Sequence, residues 1–423
     1  MKEDFLHYVW KFQKFNKSDL ITTSGSTLKV ITPGSHNHNS GPDFFNSKIS
    51  VTGQLWAGNV EVHLKASDWY AHSHHHDPAF GNVILHVVWE HDADVFRSDN
   101  SVIPTVELKG VIKANTLSGY YHLFSEKNNW INCERNFASI DRFALENWLE
   151  CLFFERLERK QKLIINELNS LKNDWEALLF RLLCTNFGVK VNSDSFLSIS
   201  QSMDFTIVKK CSRHKLELEA LLLGQAGILS KELDDDYLND LKSHYGFLRR
   251  KFNLHNDSIV PPKFFRLRPS SFPTLRLSQL AHLYAKRKRL FSEIIEFKEL
   301  ADFYELFDIS ASEYWDTHYN FGTSSRFSKK RLNKKFIHLI ILNTVIPIKF
   351  CYAKYLGKDS IEELIHLARS IPKEENSLIK GFKGIGFSAT HAMHSQALIQ
   401  LKTEYCDKNR CLQCGIGARI LKG

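Results

Sequence analysis

Asp43, Glu61, His63 and Lys65 fall within one short stretch, DFFNSKISVTGQLWAGNVEVHLK. Alternate residues of a strand share a face, so Glu61, His63 and Lys65 would line up while Val60, Val62 and Leu64 turn into a core. Asp43 would start the preceding strand. Hydrolysis of a phosphodiester needs carboxylates to hold a divalent cation against the phosphate and a nearby base or cation to position the attacking water. Asp43 and Glu61 are therefore the expected ligands of Mg²⁺ or Mn²⁺, and Lys65 or His63 the group that positions or deprotonates water. His72, His74, His75, His76 and Asp77 follow, with His86 in the next apolar run. Imidazoles with a carboxylate suit zinc, manganese or iron. His72 and Asp77 are expected to complete the site, whereas His86, between Leu85 and Val87, reads as a core histidine. The plain alternative is a turn aspartate, a solvated strand face and a polar loop.

Two further groups carry possible chemistry. Near the C-terminus, Cys406, Cys411 and Cys414 form a C-x4-C-x2-C spacing. It suits structural zinc first and a [4Fe–4S] cluster second, with the fourth ligand to come from Cys133, Cys351, His391 or His394. The alternative is three buried thiols. Arg266, Arg268 and Arg276 in FFRLRPSSFPTLRL, and Lys329, Lys330 and Arg331 in SSRFSKKRLNKKF, interleave cations with aromatics. That pattern fits phosphate clamping and base stacking as well as an ordinary solvated face.

The elements that must position these groups are legible. A helix from Glu3 to about Phe15 is followed by strands at Leu28–Thr32, about Phe44–Val51 and about Leu55–Leu64. His72–Asn82 is a loop or short helix entered at Pro78, and VILHVVWEHD reads as a buried central strand. A further strand is expected over Thr105–Ile112. From Asp141 the period changes to three and four residues, predicting a long amphipathic helix and then helices at Trp175–Phe187, Tyr237–Phe252, Leu275–Phe307 and Leu332–Tyr355. Within the last, FIHLIILNTVIPIKF reads as a buried helix that ends near Pro347. The expected fold is α+β or α/β: residues 1–120 a mixed-sheet domain, 121–423 a basic, mainly helical domain closed by the cysteine site.

The order helix, three strands, irregular or helical segment, strand, with Gly41-Pro42-Asp43 at the second strand, resembles the PD-(D/E)xK nuclease superfamily. That resemblance implies a restriction-endonuclease-like core and metal-dependent cleavage of nucleic acid. The third-strand signature is displaced, since Glu61 is followed by His63 and only then by Lys65. Very short patch repair endonucleases resemble this arrangement in using histidines for part of the signature. GPDF, NVEVHLKASDW, HHHD, VILHVV, RPSSFPTLRLSQLA and the cysteine cluster, taken together, also look like an uncharacterised bacterial family known only as a domain of unknown function.

Composition narrows the setting. Residues 1–120 hold 10 Lys/Arg against 12 Asp/Glu and half of the 20 histidines, so the net charge of +9 lies downstream. A basic surplus there admits anionic partners, DNA before RNA. No apolar run reaches the roughly 18 residues of a membrane span, and the scattered cysteines do not form a secreted disulfide framework, so a cytoplasmic setting is expected. The expected function is a divalent-metal-dependent nuclease. The alternatives are a non-catalytic nucleic-acid-binding scaffold and a His-rich metallohydrolase of a small substrate.

Overall fold

The computed structural model describes all residues except 19, 38, 125–128 and 422–423. The chain is an α+β protein, with a mixed sheet near the N-terminus and a larger helical part after it. Two units separate by contact. One comprises Met1–Trp148, Lys380–Phe387 and Ile399–Gly423, and the other Leu149–Ile379 and Ser388–Leu398. By contact the cysteine-bearing tail groups with the sheet, and the first unit takes in the chain as far as Trp148.

In the first unit, helix α1 (Glu3–Lys11) sinks Phe5, Leu6, Val9 and Trp10 into the core, leaves Asp4 and Lys11 exposed, and half-buries Glu3 and His7. The strands are β1 (Leu28–Thr32), β2 (Ser35–His36), β3 (Phe44–Val51), β4 (Gln54–Lys65), β5 (Val83–Glu90) and β6 (Thr105–Glu107), a shorter last strand than expected. They form one six-stranded sheet in the order β1-β3-β4-β5-β6, with β2 beside β3. β3 and β4 are an antiparallel hairpin joined at Thr52-Gly53, while β4–β5 and β5–β6 are parallel. The parallel step needs a crossover, and helix α2 (Asp68–Ala71) with the turns His74–His76 and Pro78–Phe80 supplies it. Val83–Val88 of β5 is buried throughout, as a near-continuous apolar run demands. Under the crossover, Trp69, Phe80, Val83, Val88, Val95 and Ile103 form a cluster that fixes its height above the sheet.

The second unit is helical, and it corrects two expectations. The stretch Leu275–Phe307 is three helices, Pro273–Lys286, Leu290–Glu296 and Leu300–Leu306. Arg287 is extended, and Glu299 with Asp302 caps the third helix reciprocally, so the pattern is interrupted by local capping. The apolar helix does not end at Pro347 but runs over Lys334–Tyr355. A π-turn at Ile341–Val345 precedes the proline, and this change of hydrogen-bond register accommodates Pro347 inside the continuous helix. This helix is long and apolar enough to cross a membrane, yet most of it is buried inside its unit.

Gly58 sets how closely β4 approaches β5: a Cβ there would lie 2.4 Å from Ile84 Cγ2 and 2.7 Å from the Asn82 carbonyl oxygen. Gly58→Ala is expected to destabilise the fold by about 1–3 kcal/mol through overpacking. Gly110→Ala, where nothing lies within 4 Å, serves as control. Urea unfolding checks this, and equal midpoints for the two variants would remove the steric role given to Gly58.

Candidate metal centre

Period-two alternation on β4 places Glu61 and His63 on one face, and the parallel register sets Glu61 opposite His86. Both faces of this part of β4 are covered, leaving Glu61 5%, His63 1% and His86 0% exposed. At the strand end the backbone N–H of Lys65 donates to Asp68, and Ser67 bonds Asp92 through both its N–H and its hydroxyl. These bonds turn the chain into α2. Ser73 adopts a left-handed conformation, and the chain returns with His72 and His74 above His63. Phe80 stacks on His74 with ring centroids 3.8 Å apart and holds that imidazole in place.

The resulting contacts form a continuous chain of polar groups. His63 Nδ1 lies 2.8 Å from His86 Nε2, and His63 Nε2 lies 3.2 Å from His72 Nδ1. Glu61 Oε1 is 3.5 Å from His63 Nε2 and 3.3 Å from His74 Nε2. His63, His72 and His74 each offer a ligand nitrogen, all within 4.8 Å of one another, so this cluster can hold a metal ion. Bonds of about 2.0–2.1 Å to a tetrahedral ion place its ligand atoms about 3.3–3.4 Å apart. The His63–His72 separation of 3.2 Å matches that edge, and Glu61 Oε1 stands at similar distances from His63 and His74. With Nε2 of His63 turned to an ion, its Nδ1–H donates to His86, the arrangement that fixes ring and tautomer in metal sites.

Asp43 closes the other end. Its backbone N–H donates to Glu61 Oε2 at 3.1 Å, and its Oδ2 accepts from the Val62 N–H at 3.0 Å. His7, from α1, brings Nε2 to 3.1 Å from the same Oδ2. Glu3, one helical turn before His7, feels His7, Asp43 and Glu61 electrostatically. Burial raises the Glu3 carboxyl above its ordinary range, and burial likewise raises Glu61 beside Asp43. For His7, burial disfavours the charged ring, but the pairing with Asp43 outweighs it and the pKa is raised. Burial first, then the neighbouring imidazoles, pushes His63 down to about 2 and His86 down to about 3. Both rings therefore stay neutral, the form that binds metal.

Of the residues expected from sequence, Asp43, Glu61, His63 and His72 come together. Lys65 is exposed at the end of β4. Asp77 is exposed and caps the Pro78–Phe80 turn by accepting from the Ala79 N–H. His75 and His76 make a tilted ring contact with each other and are not among the clustered ligands. His86 is a core histidine, as its neighbours imply, and it also orients His63. Sequence reading missed Glu3 and His7, whose only signal is an i, i+4 pair on an amphipathic helix.

In the second unit, Arg266, Arg268, Lys329 and Arg331 are exposed. Arg276 and Lys330 are not surface cations. The Arg276 guanidinium lies 3.6 Å from the Phe336 ring centroid and bonds Gln279, and burial lowers its pKa to about 10. Lys330 is buried with its ammonium 4.0 Å from the Tyr319 ring. Both cations are held by packing on an aromatic ring inside the unit.

Fold and site together define an α+β protein with a part-buried histidine–carboxylate cluster at the crossover of a mixed sheet, His63 within it and His72 at its surface. The chain belongs to a family described as protein of unknown function (DUF2851), whose profile matches residues 3–377. No curated protein and no solved structure matches it.

The depressed histidines give a signed pH dependence for the metal-free protein. Between pH 6.5 and about 3 the unfolded chain protonates His63 and His86 while the folded chain does not. Stability therefore rises with pH up to about 6.5 and is lost progressively below it. Chemical denaturation across that range should show a slope approaching two protons from this pair, and His86→Phe should reduce it. A slope unchanged in the variant would show that His86 does not stay neutral in the fold.

Proposed function

We propose that the protein is a divalent-metal-dependent nuclease that hydrolyses phosphodiester bonds, with DNA as the first substrate to test. The observation that carries this reading is the convergence of the His63, His72 and His74 nitrogens within 4.8 Å of one another, with Glu61 Oε1 beside His63 and His74 and Asp43 bonded directly to Glu61. Three imidazoles with a carboxylate favour manganese, zinc or iron over magnesium. The ion would supply Lewis-acid stabilisation of the phosphoryl oxygens and an activated water. His7, its proton held by Asp43, is suited to return a proton to the leaving oxygen near neutral pH.

The order of elements also favours a PD-(D/E)xK-like core: α1, then β1, β3 and β4 as neighbours, then the crossover and parallel β5. A polymeric anion is favoured over a small substrate by a groove of about 1000 Å³ that His7 and His36 share with Lys2, Lys11, Lys408 and Arg410. Those four cations give a phosphate backbone its electrostatic contacts.

Purified protein, stripped of metal and supplied with Mn²⁺, Zn²⁺ or Mg²⁺, is expected to cut linear DNA and to stop in chelator. Glu61→Gln and His63→Ala should abolish cleavage, and His7→Ala should slow it about 10²- to 10⁴-fold. Undiminished cutting in both ligand variants would sink the assignment. Tight binding of DNA without cleavage under every metal would favour the scaffold reading.

A further inference from the structure

The three C-terminal cysteines are joined in the structure by a fourth. Cys133, Cys406, Cys411 and Cys414 line one small cavity of about 10 Å³ in the first unit, together with apolar side chains that include Leu123, Leu401 and Ile416. Cys133 comes from the turn before the short helix Glu134–Phe137, the other three from the chain's last segment. None of the four is in a disulfide. Of the candidates for a fourth ligand, Cys133 is the one at this cavity.

Local structure aims the sulfurs at the void. A π-turn at Leu401–Cys406 ends one helix, the N–H of Asn409 returns to the Cys406 carbonyl, and a 3₁₀ turn over Cys411–Gln413 leads into the helix Gly415–Ile420. That helix packs tightly on the Cys411 backbone. A Cβ on Gly417 would lie 2.0 Å from the Cys411 carbonyl oxygen, so only glycine permits the approach. Asn132, next to Cys133, donates its amide to Cys411 Sγ at 3.3 Å. Hydrogen bonds of this kind stabilise a ligating thiolate and tune its cluster.

We propose that Cys133, Cys406, Cys411 and Cys414 ligate an iron–sulfur cluster that ties the Asn132–Cys133 turn to the C-terminal segment. Buried thiols packing as small hydrophobes would fill their space, whereas these four line a common void. A single zinc ion is the narrower alternative. Tetrahedral Zn–S bonds of about 2.3 Å bring sulfurs about 3.8 Å apart and leave no internal space for a water-sized sphere. This cavity admits one. Among the described residues, the ligand atoms drawn within 4.8 Å of one another, as one ion requires, are those of His63, His72 and His74, and not the four sulfurs. The wider setting fits a multinuclear core with one thiolate per corner or two per iron, and C-x4-C-x2-C with a remote fourth cysteine is a spacing that such cores use. Assembly takes iron and inorganic sulfide, and each thiol gives up its proton on forming its Fe–S bond.

The test is metal and sulfide analysis of the full chain purified without oxygen or chelator. The expected result is a brown protein with about two or four irons and an equal amount of acid-labile sulfide per chain. Each of Cys133→Ser, Cys406→Ser, Cys411→Ser and Cys414→Ser should lower the sulfide content several-fold, while Cys151→Ser, Cys351→Ser and His63→Ala retain it. Should the variants fail to accumulate, the wild type still decides: iron and sulfide added to the apoprotein should restore colour and a matching mass by native mass spectrometry. One zinc without sulfide, a metal-free chain that takes up no iron, or a cluster that survives loss of Cys133 would each overturn the proposal. Because acid-labile sulfide reports on the cysteine site alone and DNA cleavage on the histidine site, failure of this site is distinguishable from failure of the nuclease reading.

Discussion

His63 sits in a strand covered on both faces, and each of its ring nitrogens meets another imidazole. Burying such groups is expensive unless every donor and acceptor is met, and the surrounding architecture serves that requirement. The parallel pairing of β4 with β5 brings His86 under one nitrogen. The short crossover, turned at Ser67–Asp92 and weighted by Trp69 and Phe80, brings His72 and His74 over the other. α1 then covers the open edge with His7 against Asp43. One nitrogen of His86 remains without a partner among the described residues. It is the residual cost of placing an imidazole beneath His63.

The sheet was readable because its information is local. β-branched runs, the Thr52-Gly53 turn and the alternation of Val60, Val62 and Leu64 with Glu61 and His63 state both the strands and which side of β4 is polar. The adjacency of Asp43 and Glu61 followed from the hairpin. The return of His72 and His74 was not readable, because it rests on a left-handed Ser73 and on aromatic packing by residues that look like ordinary core. Glu3 and His7 were hidden for another reason: an amphipathic helix is normally read by its apolar face. In the second unit, Arg276 and Lys330 stand in runs of exposed cations and differ from them only through Phe336 and Tyr319, which no spacing rule connects to them.

The cysteines show the same division. Their C-x4-C-x2-C spacing is local and visible, but the choice of Cys133 over Cys351, His391 and His394 is a tertiary fact. Gly417 is equally silent in sequence, since its reason is the approach of a helix to the Cys411 carbonyl.

Asp43 and Glu61 are joined by an exchange between side chain and main chain: the Asp43 N–H bonds the Glu61 carboxylate, and the Asp43 carboxylate bonds the Val62 N–H. A slip of one residue between β3 and β4 would turn Glu61 and His63 to the opposite face and break both bonds at once. Correct strand alignment and a competent ligand set are therefore a single structural decision. Any ion that favours the complete set also selects against misaligned hairpins, so the centre acts as a proofreader of the sheet that carries it. In a population of refolding chains, the occupied fraction would count the molecules whose hairpin closed in the right frame.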